Sequence, residues 1–166
     1  MNKDGHVLNA VLLGLGLAVI LNPAAELETA RLMLEVTIPV VLGAMVPDID
    51  TAFGKHRKTL HNLPLLAAFY AFPYFFGNLE YVWIGVLTHY VLDVVGSKRG
   101  IALFYPLSPK EYNFPTGVAT SSKYATRVTV VVTAFELAVI AVIVHYQFPV
   151  QDIVDTASTF MSSLLF

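Results

Sequence analysis

An all-α membrane helical bundle of about five spans is the fold this sequence predicts, and three observations predict it. Of the 166 residues 56% are hydrophobic and only 13% charged, a balance too apolar for an ordinary water-soluble domain. The apolar residues gather into five runs, at 7–21, 32–46, 63–76, 81–95 and 128–148. Basic residues fall almost wholly in the connections that five crossings place on one side: Lys3, Lys55, Arg57, Lys58, Lys98, Arg99, Lys110, Lys123 and Arg127, against Arg31 alone on the other. The positive-inside rule makes the crowded side cytoplasmic, so the expectation is a multi-pass protein of the inner or plasma membrane, N-terminus cytoplasmic and C-terminus outside. One integral membrane domain covers 1–166, with a polar core region at 1–108 and a fifth span and surface helix at 127–166.

The first run follows His6 and precedes Pro23-Ala24-Ala25. Such a stretch also fits a secretory signal peptide with a small-residue cleavage site, whereas Ala10 and Gly14 suit close helix packing within a bundle. The second run ends at Pro47. Several runs are shorter than the ~20 residues a full crossing prefers, so flanking residues must be drawn in or the bilayer thinned. The long connection 97–127 mixes Pro106, Pro109 and Pro115 with Phe104, Tyr105, Tyr112, Phe114 and Tyr124, as a lid, a binding element or a disordered segment does. Beyond the fifth run, Ile153, Val154, Ala157, Phe160, Met161, Leu164 and Leu165 recur at helical spacing opposite Asp152, Asp155, Ser158, Ser162 and Ser163, which predicts a C-terminal amphipathic helix lying on a surface.

The polar residues carry the functional signal. His89 and Asp93 are four apart in the fourth run, which stacks them on one helix face. An aspartate at a helix centre in a membrane costs on the order of 2.5–3.5 kcal/mol and needs a partner or a role. The predicted topology brings both to the same rim as His6, Asp48, Asp50, His56, Arg57 and His61. Four of the five histidines and three of the six aspartates thus converge on one end of the bundle. With no cysteine in the chain, a divalent metal there must be held by imidazoles and carboxylates, which favours zinc, with manganese or iron as alternatives. A bound dication with an open position activates water for hydrolysis, and Arg57 beside His56 suits a phosphoryl oxygen. Taken singly these residues have plainer readings. Pro-Asp-Ile-Asp after a span is a cap or turn, and His56 among Lys55, Arg57 and Lys58 is a cluster for anionic head groups. His145 reads as an interfacial residue. Glu35 and Glu136, also embedded, have no place in a hydrolytic site and motivate a metal or proton transporter as an alternative. The net charge of −2 gives no sign of direct nucleic-acid binding.

The segments Gly43-Ala-Met-Val-Pro-Asp48-Ile-Asp50, His56-Arg57, His61-Asn-Leu63, Gly85-Val-Leu-Thr-His89-Tyr-Val-Leu-Asp93 and Gly100-Ile-Ala-Leu-Phe-Tyr-Pro-Leu-Ser108, in that order, resemble the LexA-binding, inner-membrane-associated metal-dependent hydrolase family, the YdjM-like proteins. The likeness covers about 1–108. It implies a helical membrane protein with a metal site on its cytoplasmic side, and carries over to His6, Asp48, Asp50, His56, Arg57, His61, His89 and Asp93. Where the family usually has His-Arg-Gly-Phe-Thr-His-Ser, this chain has His56-Arg-Lys-Thr-Leu-His61-Asn62, without the hydroxyls that flank the second histidine. A fainter similarity to zinc-dependent phospholipase C points to phosphoesters. The expected activity is therefore metal-dependent hydrolysis of a phosphoester on a lipid or lipid-linked substrate drawn from the membrane. His6, Asp48, His61, His89 and Asp93 are the expected ligands, Asp50 or His56 the general base or a second-metal ligand, and Arg57 the phosphoryl clamp. The competing expectation is a non-enzymatic regulator that tethers a cytosolic protein partner through its basic loops, with a structural metal.

Overall fold

The computed structural model describes residues 2–77 and 79–165, with the backbone alone for 147–165. Its elements are α1 (Lys3–Leu21), α2 (Leu27–Met45), a 3-10 turn (Pro47–Ile49), the single-turn α3 (Asp50–Phe53), α4 (Leu63–Phe76), α5 (Val82–Val95) and α6 (Ala125–Leu165). Among the described residues there is no strand, and two isolated bridges, Ser97 with Val118 and Ile101 with Tyr112, brace the long loop after α5.

Helix α2 is central, packed on α1 along one side and on α5 along the other, while α1 also lies against α6. Ala10, Leu13 and Leu17 of α1 interlock with Val36, Val40 and Ala44 of α2. In lipid, apolar burial alone drives little helix association, so close backbone approach has to supply the attraction. The glycines provide it. A Cβ added at Gly14 would lie 2.7 Å from Thr37 Cα, and one at Gly43 or Gly85 would fall 2.0 Å from the Val82 or the Val40 carbonyl oxygen. Helices α2 and α5 therefore cross glycine on glycine, and His89, one turn beyond Gly85, comes within reach of the α2 backbone.

Two expectations need correction. Among the described residues three stretches, Lys3–Leu21, Leu27–Phe53 and Ala125–Tyr146, are long and apolar enough to cross a membrane, fewer than the five predicted. Helices α4 and α5 have 14 residues each, about 21 Å of rise against a hydrocarbon core of about 30 Å. They form a hairpin closed at Gly77, whose left-handed backbone (φ 66°) caps α4. The second correction concerns the C-terminus. The fifth span and the predicted surface helix are one continuous helix of 41 residues; the side chains of its amphipathic portion lie outside the described residues.

At the other end of the hairpin the connections 54–62 and 96–124 meet, as the two antiparallel helices between them require. Ala102 N donates to Arg57 O (2.9 Å) and Leu63 N to Leu103 O (2.8 Å). The N-terminus of α1 arrives at the same end. Asn2 caps it by accepting from Gly5 N (3.0 Å), which starts the helix four residues earlier than hydropathy alone suggests and puts His6 inside its first turns.

Candidate functional site

All eight residues singled out in the sequence gather at this end, and four separate elements deliver them. Helix α1 brings His6; the break after α2 brings Asp48 and Asp50; the following loop brings His56, Arg57 and His61; α5 brings His89 and Asp93. Pro47 causes the break, because it lacks the N–H that would continue α2, and the 3-10 turn it opens directs Asp48 and Asp50 to different parts of the cluster. Asp50, His61 and His89 are completely buried, His6 and Asp93 nearly so, while Asp48 and His56 are partly open.

Four ligand atoms converge at the centre. His61 Nε2 and His89 Nε2 are 3.1 Å apart. Asp48 Oδ1 lies 3.8 and 3.7 Å from them, and Asp93 Oδ2 also 3.8 and 3.7 Å. The hydrogen bonds on the far side of each ring fix the tautomers. His89 Nδ1 meets the Ala44 carbonyl at 2.7 Å and must donate to it; this oxygen is among those left without a partner at the C-terminus of α2. His61 Nδ1 donates to Asp50 Oδ2 at 2.9 Å. Burial outweighs the nearby Asp50 carboxylate and holds the His61 imidazole below the ordinary histidine pKa, so the neutral ring is favoured. Both Nε2 atoms then present bare lone pairs to each other, and the two carboxylates add further negative charge. That is the donor set of a cation site with second-sphere hydrogen bonds orienting the rings. Ligands about 2.0–2.2 Å from a tetrahedral zinc are separated by about 3.3–3.6 Å, and the five distances here, 3.1 to 3.8 Å, bracket that range.

His6 extends the cluster. Its ring stacks on His89 with centroids 3.6 Å apart and planes 8° from parallel. Nε2 is 3.4 Å from Asp93 Oδ1, but neither ring nitrogen has a partner in hydrogen-bond geometry although both are buried. Two imidazole nitrogens left so would cost more than a kcal/mol each, which is a further mark of a site shaped for an added ligand. Donor atoms of His6, His89 and Asp93 all lie within 4.8 Å of one another, and so do those of Asp48, His56 and His61.

Asp50 and Arg57 differ from their expected positions. Asp50 faces away from the converging atoms and holds the loop: Oδ1 accepts from His56 Nδ1 (3.0 Å), and Oδ2 accepts from both His61 Nδ1 and Leu60 N (3.2 Å). Arg57 is buried with its guanidinium turned inward, donating to the Arg99 and Gly100 carbonyls, to Ser97 Oγ (3.3 Å) and to Asp93 Oδ1 (3.4 Å). Its backbone is left-handed (φ 67°), a conformation costing a non-glycine residue roughly 1–2 kcal/mol. These contacts keep it there and engage both terminal nitrogens of the guanidinium.

Several supporting residues escaped the sequence analysis. Tyr90 donates to Leu60 O (2.7 Å) and accepts from Asn62 N (3.1 Å), clamping the backbone on either side of His61. Asn62 replaces the missing hydroxyl: its side chain caps α4 by accepting from Leu65 N (3.0 Å) and also donates to the carbonyls of Lys58 and Thr59. Only their adjacency to His89 and His61 could have flagged them. Lys3, which topology placed merely on the right side, lines a pocket of about 500 Å³ with Met45, Asp48, Ile49, Thr51 and His56, and this pocket opens onto the cluster from outside.

A family model described as YdjM inner membrane protein matches residues 1–152. No curated protein and no solved structure matches the chain.

Proposed function

The chain belongs to the YdjM inner membrane protein family, and from that premise and the convergent histidines and aspartates we propose that it is a metal-dependent hydrolase of the membrane surface, acting on a phosphoester of a lipid or lipid-linked substrate. The observation that carries the reading is the pair of bare Nε2 atoms of His61 and His89 facing each other at 3.1 Å between two carboxylates. Such an arrangement is repulsive until a cation joins it.

In this reading His61, His89, Asp48 and Asp93 hold a divalent metal, zinc by the chemistry of the set, with His6 as a further ligand. When bound, such an ion acidifies water and polarises a phosphoryl oxygen. The protein's own residues do the rest. Asp50 fixes the tautomer and direction of His61 and, through Oδ1, those of His56. His56, partly exposed on the open side, is placed to take a proton from water or return one to a leaving group. Arg57 positions Asp93 and ties the 96–124 loop to the site; it is not the phosphoryl clamp the sequence suggested. In this reading the basic residues around the rim face the cytoplasm, and water reaches a site that a membrane amphiphile can enter from the side.

The test is metal analysis of purified protein followed by a screen of phosphomonoesters and phosphodiesters on wild type and Asp93→Ala. The expected result is at least one equivalent of tightly held metal, turnover by the wild type and none by the variant. Wild-type protein without stoichiometric metal ends the hydrolase reading. Metal without turnover, with folding lost on its removal, would give the family member a structural metal and a tethering role instead.

A further inference from the structure

Arg57 has its terminal nitrogens engaged inside the protein, and the pocket over the site supplies a second, exposed cation. Lys3, exposed at the start of α1, shares that pocket with the partly open Asp48 and His56, so an anionic group drawn to it would sit beside the converging ligands. Thr51 completes the lining, and its apolar part is formed by Met45 and Ile49. Those two belong to a longer feature: Ile38, Leu42, Met45, Ile49 and Phe53, spaced by three or four residues, all expose their side chains along one side of α2 and its continuation. A membrane helix ordinarily shows such a stripe to lipid. This one does not stop where α2 ends, but continues past Pro47 through the 3-10 turn into α3, flanking the charged pocket.

We propose that this pocket is the head-group site of a single anionic amphiphile, Lys3 contacting its phosphate and the Met45–Ile49 wall receiving the first part of its chain, which follows the α2 stripe into the bilayer. The proposal rests on the hydrolase reading for what happens after binding, and binding itself is measurable without turnover. It fits an occupant from the membrane better than a soluble phosphate, because the Met45 and Ile49 side of the wall has no use for a soluble ion. A lysine suits the role as a mobile point charge that follows a head group of variable orientation, where a buried arginine fork would demand one geometry.

Zinc-loaded protein in phosphatidylcholine nanodiscs would be titrated calorimetrically with inorganic phosphate and with decyl phosphate, against empty nanodiscs. Decyl phosphate should bind at least tenfold more tightly than inorganic phosphate. Lys3→Glu should weaken both at least tenfold, Lys3→Arg should stay within about threefold of wild type, and Ile49→Asn should remove the advantage of the chain while leaving inorganic phosphate unaffected. Lys3 is exposed, so the charge reversal leaves the packed helices intact. Equal binding by wild type and Lys3→Glu overturns the proposal, and so does equal affinity for the two probes, which would make this a site for a soluble anion. Zinc content, measured on the same samples, judges the hydrolase reading separately: full zinc with no effect of Lys3→Glu refutes the head-group site alone, whereas absent zinc refutes the metal reading whatever Lys3 does.

Discussion

His6 and Asn9 lie a turn apart on α1, and Thr88 and His89 are neighbours on α5, yet they serve two polar clusters built on opposite rules. The first is the rim cluster described above. The second is sealed within the bundle: Asn9 Nδ2 donates to Thr133 Oγ1 (2.8 Å) and Glu136 Oε2 (2.8 Å), while Thr88 Oγ1 is 2.6 Å from Asn9 Oδ1 and 2.7 Å from Glu136 Oε1. Thr88 has one hydrogen for those two oxygens. The short contact left over requires a proton on Glu136, and turning the Asn9 amide over only moves the mismatch to Oε2. With a neutral Glu136, every donor in this cluster meets an acceptor. The rim cluster does the reverse, leaving lone pair against lone pair and His6 without a hydrogen-bond partner. A saturated network pins helices together; an unsaturated one, in a bundle packed this closely, is arranged around something else. The distinction also argues against transport through Glu136, since its oxygens are already engaged, and Glu35 sits exposed on the face of α2.

The comparison breaks most decisively at the rim. Asp93→Asn keeps the shape but removes a ligand charge, and zinc affinity should fall by more than ~100-fold, since even indirect supports of a metal site are worth 10–100-fold. Melting measured with and without zinc checks this. Metal-free wild type should gain about 4 kcal/mol at a thousandfold excess of zinc over Kd, and Asp93→Asn at the same zinc concentration no more than about 1.4 kcal/mol. A wild-type melting temperature indifferent to zinc, manganese and iron would erase the contrast between the clusters.

Arg57 gives the next largest effect. Arg57→Gln loses the contacts to Asp93 and to the Arg99 and Gly100 carbonyls, so zinc affinity should drop 10–100-fold and the 96–124 loop should become sensitive to limited proteolysis. Arg57→Gly, which relieves the left-handed backbone, should restore neither. If it binds zinc as wild type does, the guanidinium is ornamental and the strut has been misassigned.

Glu136 sharpens the contrast from the other side. Gln reproduces a protonated carboxyl, one donor toward Thr88 and one acceptor toward Asn9, so Glu136→Gln should change stability by less than ~0.5 kcal/mol, while Glu136→Ala strands Asn9 and Thr88 at about 1–3 kcal/mol. Thermal melts in one detergent would show it. Glutamine costing as much as alanine would mean that the carboxyl is ionised and the cluster not a neutral pin.

These two clusters also mark what a sequence can disclose. The rim was legible because its chemistry depends on residue types that are out of place in lipid: His89 and Asp93 at i, i+4, two aspartates after a proline, and loop connections that topology forces together. Roles were less legible than positions. Arg57 beside a histidine looked outward-facing, and only its left-handed backbone and the carbonyls of Arg99 and Gly100 turn it inward. Asn9, Thr88 and Thr133 carry no such signal, because a neutral side chain in an apolar run is equally at home unpaired with any partner in particular; their meeting depends on helix rotation, which the glycine contacts set. Span number failed for a different reason. The bounds 63–76 and 81–95 are legible and nearly match α4 and α5, but counting every apolar run as a crossing overlooks that 14 residues rise only about 21 Å.

The smallest effect is expected where charges meet in water. Glu111 accepts from Arg99 Nε and a terminal nitrogen, both at 3.2 Å, with Lys58 Nζ 3.6 Å away. The hydrogen bonds from Arg99 hold the Glu111 carboxyl below its ordinary value. Because the folded pKa is depressed, the pair's contribution is complete above the unfolded value near 4.5 and disappears as pH falls through the lower folded one. Arg99 is largely exposed, and such pairs contribute about 0.2–1 kcal/mol. Glu111→Gln should therefore lower the melting temperature slightly at pH 7, progressively less as the pH falls below 4.5, and less in high salt. Zinc affinity should be unchanged throughout, because Arg57 contacts Arg99 through its backbone carbonyl and not its side chain. A loss of zinc with Glu111→Gln would mean that the exposed pair, and not the buried strut, is what holds the loop against the site.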